Sequence, residues 1–304
     1  MEKPHILHVF TPAAQASPFD VNMAYDAGYA AVVPYTGMGV NEVKTLTQDA
    51  IFSRGPKGVK RTGIFIGGRD VDLALDMFDA ARQSMVPPFE VCVFVDPSGA
   101  FTTAAAAVAC VERRLRKAFD TDFTGKRVLV LGGTGPVGIA CAVLAAQAGA
   151  RVQLASSRDA DRAERAVRLI RERYKVEAEA VLADAQKLAG LVATADIVIS
   201  AAQTGVQAVP ADVLSTAANL LVAADVNAVP PPGIAGVGVM DDGVPLKDAG
   251  SGKALAIGAL AIGNVKYQVE RAMFEAMLAA DKALYLDFRS AFAKAREVAQ
   301  TDNK

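Results

Sequence analysis

The sequence has no tryptophan, two histidines and three cysteines among its 304 residues, and these shortages exclude several kinds of chemistry. The histidines are His5 and His8, and on a strand this offset places them on opposite faces, where they cannot bind one metal ion together. No H-E-x-x-H or G-x-S-x-G motif is present, which removes most zinc and catalytic-triad mechanisms. We therefore expect no metal site and no acid–base step that uses histidine.

The sequence also lacks features of secreted, membrane and nucleic-acid-binding proteins. Cys92, Cys110 and Cys141 are widely spaced in apolar stretches, which is typical of buried reduced thiols. The net charge is −1 with both signs interspersed, so nothing favours a nucleic acid or an anionic membrane as partner. The N-terminus shows no basic region before an apolar core, and the apolar tract at 254–263 is too short to span a bilayer. These absences predict a cytoplasmic protein that acts on a small molecule.

What the sequence does contain is an alternation of strand-like and helix-like segments. The predicted strands are 6–10, 30–35, 63–67, 89–95, 128–131, 152–155, 176–181, 197–201 and 220–226. The predicted helices include 18–27, 41–52, 70–85, 102–117, 139–148, 266–280 and 287–299. This alternation predicts an α/β fold with parallel sheets and with ligands at the carboxyl ends of the strands.

A polar, turn-rich stretch at 120–126 divides the chain and predicts two domains. We expect an N-terminal α/β substrate domain with a parallel sheet over 1–122 and a Rossmann-type NAD(P)-binding domain over 123–268. The helices of 269–304 are expected to return to the first domain.

A glycine-rich turn follows the predicted strand at 128–131 and leads into a helix. Gly133, Gly135 and Gly138 have the G-x-G-x-x-G spacing, which predicts a tight turn, room for a pyrophosphate and close helix–strand packing, respectively. The amides of the following helix would face the anion. We therefore assign Gly133, Thr134, Gly135, Pro136 and Val137 to cofactor binding.

The strand after this turn ends in Ser156, Ser157 and Arg158, without the carboxylate that usually binds the ribose of NAD. Hydroxyls and a guanidinium suit a 2′-phosphate, so NADP is favoured as cofactor. The carboxylate of Asp159 is close enough that NAD remains an alternative cofactor. Turn-forming serines beside a solvated arginine are the alternative.

The ends of two later strands complete the predicted cofactor site. Ala201 and Ala202 lie at the end of one strand, and Asp225 and Asn227 lie at the end of the next, where an amide can pair with the nicotinamide carboxamide. A pair of Asx turns before the prolines of 230–232 is the rival interpretation of Asp225 and Asn227.

Several longer stretches make the sequence similar to the NAD(P)-dependent methylene-tetrahydromethanopterin dehydrogenases of methylotrophic bacteria. Besides the glycine turn, they are 17–24, 46–54, 61–68, 96–106, 224–231 and 258–266, and they extend over nearly the whole chain. The match is closest to members that accept both NAD and NADP, although residues 155–158 lack the tyrosine–aspartate pair of those members.

The resemblance implies that the methylene bridge between two pterin nitrogens gives hydride to the nicotinamide, as part of formaldehyde oxidation. No general base is needed, which agrees with the scarcity of histidine and leaves positioning and electrostatics to the protein. The resemblance also implies a homo-oligomer.

Candidate pterin-binding residues lie at strand ends of the first domain and at helix starts expected to face the crevice, and the resemblance mainly favours the last of them: Phe19, Asp20, Ser98, Thr102, Thr103 and Lys266. Lys266 and Asp20 are the candidates for a catalytic role through orientation and electrostatics. Structural roles stay open for them: Asp20 on a helix dipole, the hydroxyls as helix caps and Lys266 as a surface lysine.

Three other functions remain alternatives. The first is a methylene-tetrahydrofolate dehydrogenase, which no residue here distinguishes. The second is a shikimate-type dehydrogenase, which has the same order of domains but needs a lysine–aspartate pair for proton transfer. The third is a nucleotide sensor that binds NADP without turnover.

Overall fold

A computed structural model describes residues 3–301, which group into two compact units. Within the described residues, the first unit comprises 3–102 and 267–294, and the second comprises 103–266 and 295–301. The division between them falls near the start of a long helix, Ala100–Phe119, whereas the predicted boundary falls just after that helix.

The first unit has a five-stranded sheet in the order β12-β4-β3-β1-β2, in which every neighbouring pair is parallel. Its strands are β1 (Ile6–Phe10), β2 (Ala31–Tyr35), β3 (Thr62–Ile66), β4 (Cys92–Val95) and β12 (Tyr285–Leu286). Its helices are α1 (Pro18–Ala27), α2 (Val40–Phe52), α3 (Gly55–Val59), α4 (Val71–Gln83), most of α10 (Ala259–Ala279) and the first part of α11 (Phe288–Thr301).

Local sequence signals and burial explain these elements. Ser17 caps α1 by accepting from the Asp20 amide at 3.4 Å, and Gly28 ends the helix in the left-handed conformation at φ 115°. β3 and β4 are buried at every position, as expected for strands covered on both faces. Phe65, Phe94 and Phe274 pack against one another with ring centroids 5.4 Å apart, which fixes α10 onto this sheet.

The second unit has a seven-stranded sheet in the order β10-β11-β9-β8-β5-β6-β7. Its strands are β5 (Arg127–Leu131), β6 (Arg151–Ser156), β7 (Glu179–Leu182), β8 (Ile197–Ser200), β9 (Val222–Asp225), β10 (Asp242–Pro245) and β11 (Leu255–Ile257). Its helices are most of α5 (Ala100–Phe119), then α6 (Pro136–Gln147), α7 (Ala160–Leu169), α8 (Leu188–Thr194) and α9 (Ala211–Leu214). Only β10 is antiparallel to its described neighbour, so the predicted α/β class with parallel sheets is confirmed.

Several elements differ from those predicted from sequence. β10, β11 and β12 were not predicted, because strands of two to four residues are too short to show alternation. The helix expected from Lys266 begins at Ala259, so Lys266 lies in its second turn. β4 begins at Cys92 because Val86 and Phe89 form a turn, with amide-to-carbonyl bonds of 3.2 and 2.7 Å.

Candidate active site

The glycine turn of the second unit follows β5 and is packed tightly against neighbouring backbone. Gly132 adopts the left-handed conformation at φ 66°, and a Cβ there would lie 2.3 Å from the Ala201 carbonyl oxygen. The tight turn that the spacing predicts at Gly133 is therefore made one residue earlier. A Cβ on Gly133 would lie 2.7 Å from Leu154 Cγ, so this position also has no room for a side chain.

Gly135 and Gly138 differ in the space around them. Gly135 precedes α6 in extended conformation, and a Cβ there would meet only the Gly132 carbonyl oxygen, at an ordinary 3.5 Å. At Gly138 a Cβ would lie 2.5 Å from that same oxygen, so the helix approaches the turn closely at the glycine for which the spacing predicts close helix–strand packing. Thr134, Pro136 and Val137 are half-buried at the start of the helix. The turn therefore fits a pyrophosphate that approaches the backbone at Gly135 and meets the amides of α6.

The end of β6 presents an exposed rim. Ser157 and Arg158 are exposed, and Arg158 makes no hydrogen bond or ion pair with any residue in 3–301. Ser156 is buried, and its Oγ accepts from the Asp159 amide at 3.3 Å. The Asp159 carboxylate accepts from the Asp161 amide at 2.9 Å and pairs with Arg165 at 3.6 Å, so it caps α7.

The ends of β8 and β9 lie beside the glycine turn, since Leu131 pairs with Ser200 and Ser200 pairs with Asp225. Ala201 and Ala202 follow β8 and lie against Gly132. Both predicted polar residues here are engaged within their own loop. Asp225 accepts backbone amides, and Asn227 accepts from the Val229 amide and donates to the Pro231 carbonyl oxygen, each at 3.0 Å. The turn-forming interpretation therefore describes these side chains.

The carboxyl edge of the first sheet brings several loops together within that unit. A Cβ on Gly67, after β3, would lie 3.6 Å from Asp20 Oδ2, which places this buried carboxylate beside the loop. Ser98, after β4, is exposed in the left-handed conformation at φ 54° and donates from Oγ to the Gly68 carbonyl oxygen at 2.8 Å. A non-glycine residue in this conformation is uncommon and is held by its surroundings, which marks the edge as a candidate ligand surface.

Thr102, which was predicted to meet the pterin or the nicotinamide or to cap a helix, is fully buried. Its hydroxyl donates to Asp96 Oδ2 at 2.6 Å, and Asp96 Oδ1 accepts from the Phe101 amide at 2.8 Å. Thr102 and Asp96 together cap the start of α5, which is the role left open for the hydroxyls. Asp96 itself was not predicted, although an aspartate four residues before a helix-starting alanine was the available signal.

The remaining predicted residues differ in exposure. Phe19 is 44% exposed on α1, next to the buried Asp20. Thr103 is half-buried on α5, and Lys266 is half-buried on α10. A side chain as large and exposed as Phe19 suits a flat aromatic ligand.

The cysteines are buried, as the sequence predicts, and of the two histidines only His8 lies on β1. His8 Nδ1 lies 3.3 Å from the Tyr35 hydroxyl, and burial together with the charge of Arg54 lowers the pKa of His8. All three cysteines are buried and outside disulfides. No group of three metal-ligating side chains occurs in the described part of the chain. Across residues 3–301 we also find no helix with both the length and the apolar character needed to cross a bilayer.

Comparisons with known proteins give consistent results. The protein-family model for the N-terminal region of methylene-tetrahydromethanopterin dehydrogenase matches residues 18–98. The NAD(P)-dependent methylenetetrahydromethanopterin dehydrogenase of Methylorubrum extorquens is 48% identical over 297 residues, which cover 97% of this chain and 98% of that protein. The bifunctional protein MdtA of the same organism is 34% identical over 295 residues, covering 97% and 99%.

Among solved structures, a shikimate 5-dehydrogenase from Mycobacterium fortuitum has a TM-score of 0.52 at 19% identity. The alignment covers 96% of this chain and 98% of that one. At this identity the likeness establishes the fold alone.

Proposed function

This chain belongs to the methylene-tetrahydromethanopterin dehydrogenase family, and from that premise we propose that it oxidises methylene-tetrahydromethanopterin to the methenyl form with NADP or NAD. The observation that carries the proposal is the match to a dehydrogenase of that name along 97% of the chain. The glycine turn supports it, because Gly135 leaves the backbone accessible at the start of α6.

The bound nicotinamide supplies the chemistry by accepting hydride from the methylene carbon of the pterin. The protein binds and orients. Gly135 and the first turn of α6 would hold the pyrophosphate, and Ser157 with Arg158 would hold the ribose end. No protein group needs to remove a proton, which suits a chain with two histidines and no histidine at either sheet's carboxyl edge within 3–301.

NADP is the proposed preferred cofactor. Arg158 is exposed and has no hydrogen-bond or ion-pair partner among residues 3–301, whereas the carboxylate of Asp159 caps α7. A guanidinium that is not already paired can form a charge-assisted contact with a 2′-phosphate. A carboxylate already accepting backbone amides has less capacity for a ribose hydroxyl.

The pterin is proposed to bind at the carboxyl edge of the first sheet. Phe19 would stack on the ring, while Asp20 and Ser98 would contact its polar edge. Lys266 is proposed to orient a pterin carbonyl, and Thr103 to contact the pterin or the nicotinamide.

We also propose that the protein is a homo-oligomer in the cytoplasm. Light scattering of the purified protein would test the oligomeric state, and cell fractionation would test the location.

The proposed activity is tested by incubating the purified protein with methylene-tetrahydromethanopterin and either nucleotide, and following the absorbance of reduced nicotinamide. We expect turnover with both nucleotides, and it should be faster with NADP. The pH profile of kcat/KM should not be bell-shaped, because no acid–base pair is required. Turnover restricted to methylene-tetrahydrofolate or to shikimate would replace the proposed substrate. Nucleotide binding without turnover of any of the three would indicate a sensor instead.

Lys266→Ala tests the proposed pterin contact. We expect a strong loss of turnover, because the lysine orients the reacting ring, with little change in nucleotide affinity. Exposed Lys253 provides the matched control, since Lys253→Ala should leave both quantities unchanged. Wild-type turnover in Lys266→Ala would return Lys266 to the role of a surface lysine.

A further inference from the structure

A buried carboxylate at the end of β9 holds together the loop that follows it. Asp225 is 1% exposed, and it accepts the amide of Asn227 on Oδ1 at 3.0 Å. On Oδ2 it accepts the amides of Gly233 at 2.6 Å and Ile234 at 3.2 Å. One side chain thus ties the first part of the 226–233 loop to its last residue.

Other groups pack closely around this carboxylate. A Cβ on Gly233 would lie 2.6 Å from Ser200 Oγ and 2.7 Å from Asp225 Oδ1. Ser200 Oγ is itself buried and makes no hydrogen bond of standard geometry within the described residues. Burial raises the pKa of Asp225, while the three backbone amides and the nearby Ser200 hydroxyl oppose that shift. Carboxylate, hydroxyl and glycine therefore form one close-packed anchor.

The sheet topology relates this anchor to the nucleotide. The strand order reverses between β5 and β8, and in such sheets a dinucleotide lies across that point with one mononucleotide on each side. The adenosine side is the side of β6, where the ribose residue of the fingerprint lies. The loop after β9 consequently belongs to the nicotinamide side.

Resting on the proposed function, we propose that Asp225 is a positioning residue, which fixes the 226–233 loop as the wall that orients the nicotinamide. The side chain acts through the loop backbone and does not itself contact the cofactor, because its oxygens already accept three amides. Loss of the anchor should therefore disturb the nicotinamide half of the nucleotide and spare the adenosine half.

Asp225→Asn is the first variant, because it keeps the size of the side chain but presents an N–H to at least one of the three amides. Calorimetry would compare the binding of 2′,5′-ADP, which has only the adenosine half, with that of NADP. We expect 2′,5′-ADP affinity within about twofold of wild type and NADP affinity reduced roughly tenfold, since hydrogen bonds to a charged group are lost. The kcat should fall by at least roughly tenfold, with KM for the pterin little changed.

Gly233→Ala is the second variant, and it keeps the carboxylate while forcing a Cβ into the anchor. The same selective loss of NADP affinity is expected from it. Asp248→Asn, an exposed acid in the same unit, is the control and should match wild type in every measurement.

Equal losses for both nucleotides, or unchanged NADP affinity and kcat, would overturn the positioning role. Unfolding of both variants would also overturn it, since the anchor would then serve only the fold. If the wild-type protein shows no pterin turnover, the proposed function fails, while the two binding measurements still decide the role of Asp225.

Discussion

Two strands of the second unit's sheet, β6 and β9, end in polar residues that differ in exposure and in hydrogen bonding. At the end of β6, Ser157 and Arg158 are exposed, and Arg158 has no partner in the described structure. At the end of β9, Asp225 and Asn227 are buried, with their polar atoms bonded within one loop. Both pairs lie at the carboxyl ends of parallel strands, which is the edge of such sheets where ligands bind.

The difference indicates that some polar residues at this edge shape the binding site, whereas others are available to contact the ligand. A polar group that already has its hydrogen bonds contributes shape and rigidity, whereas an exposed group without a partner can still give its full interaction to a ligand. We therefore expect substitutions at the β6 end to change which nucleotide binds. Substitutions at the β9 end should change how well the bound nucleotide is oriented.

The largest effect is expected at two glycines of the turn, of which Gly138 is packed against the backbone and Gly135 is open to the nucleotide. Gly138→Ala places a Cβ 2.5 Å from a backbone oxygen that cannot move cheaply, so it should cost about 1–3 kcal/mol of stability and abolish measurable nucleotide binding. Gly135→Ala meets only an ordinary 3.5 Å contact in extended backbone and should fold with an unchanged Tm. Its NADP affinity should nevertheless fall roughly tenfold or more, because the methyl group occupies the approach of the pyrophosphate.

Thermal unfolding and calorimetry on this pair separate the two roles. Normal nucleotide affinity in Gly135→Ala would remove the pyrophosphate from the glycine turn. A fully stable Gly138→Ala protein would show that the turn is less closely packed than these distances indicate.

Much of this edge could be predicted from sequence because backbone geometry restricts residue type. A position with no room for a Cβ, such as Gly138, must be glycine, so the spacing of glycines records the path of the turn. The order of the longer strands and helices was predictable because burial on both faces of a sheet requires continuous apolar runs in the sequence.

The roles of individual polar residues could not be predicted in the same way. An aspartate at a strand end has the same sequence signal whether it faces a ligand or, like Asp225, the amides of its own loop. The choice depends on how the following residues turn back, and a threonine such as Thr102 depends equally on the burial of its helix start. Short strands such as β12 depend on pairing with a distant strand, which local patterns do not contain.

Arg158→Ala is expected to have the next largest effect, restricted to NADP. A charge-assisted contact with the 2′-phosphate is worth roughly 1.5–3 kcal/mol, so NADP affinity should fall by about one to two decades. NAD lacks this phosphate, and its affinity should stay the same or rise slightly. The ratio of kcat/KM values for the two nucleotides should therefore move toward NAD.

Exposed Arg162, in the first turn of α7, supplies the matched control for this charge. Arg162→Ala should change NADP affinity much less than Arg158→Ala does. Equal losses of NAD and NADP affinity in Arg158→Ala would indicate a shared contact or a damaged fold. No change with either nucleotide would make Arg158 a solvated side chain and remove the main support for NADP preference.

The smallest effect is expected at Asp159, which lies at the β6 end but is engaged as the β9 residues are. Its carboxylate accepts amides of α7 at 2.9 and 3.4 Å, and loss of such a cap costs about 1 kcal/mol. The exposed ion pair with Arg165 adds little. Asp159→Ala should therefore lower the Tm slightly and leave the NAD and NADP dissociation constants within about twofold of wild type. A selective loss of NAD affinity would instead place this carboxylate on the ribose and show that exposure and partners do not separate framework from recognition at this edge.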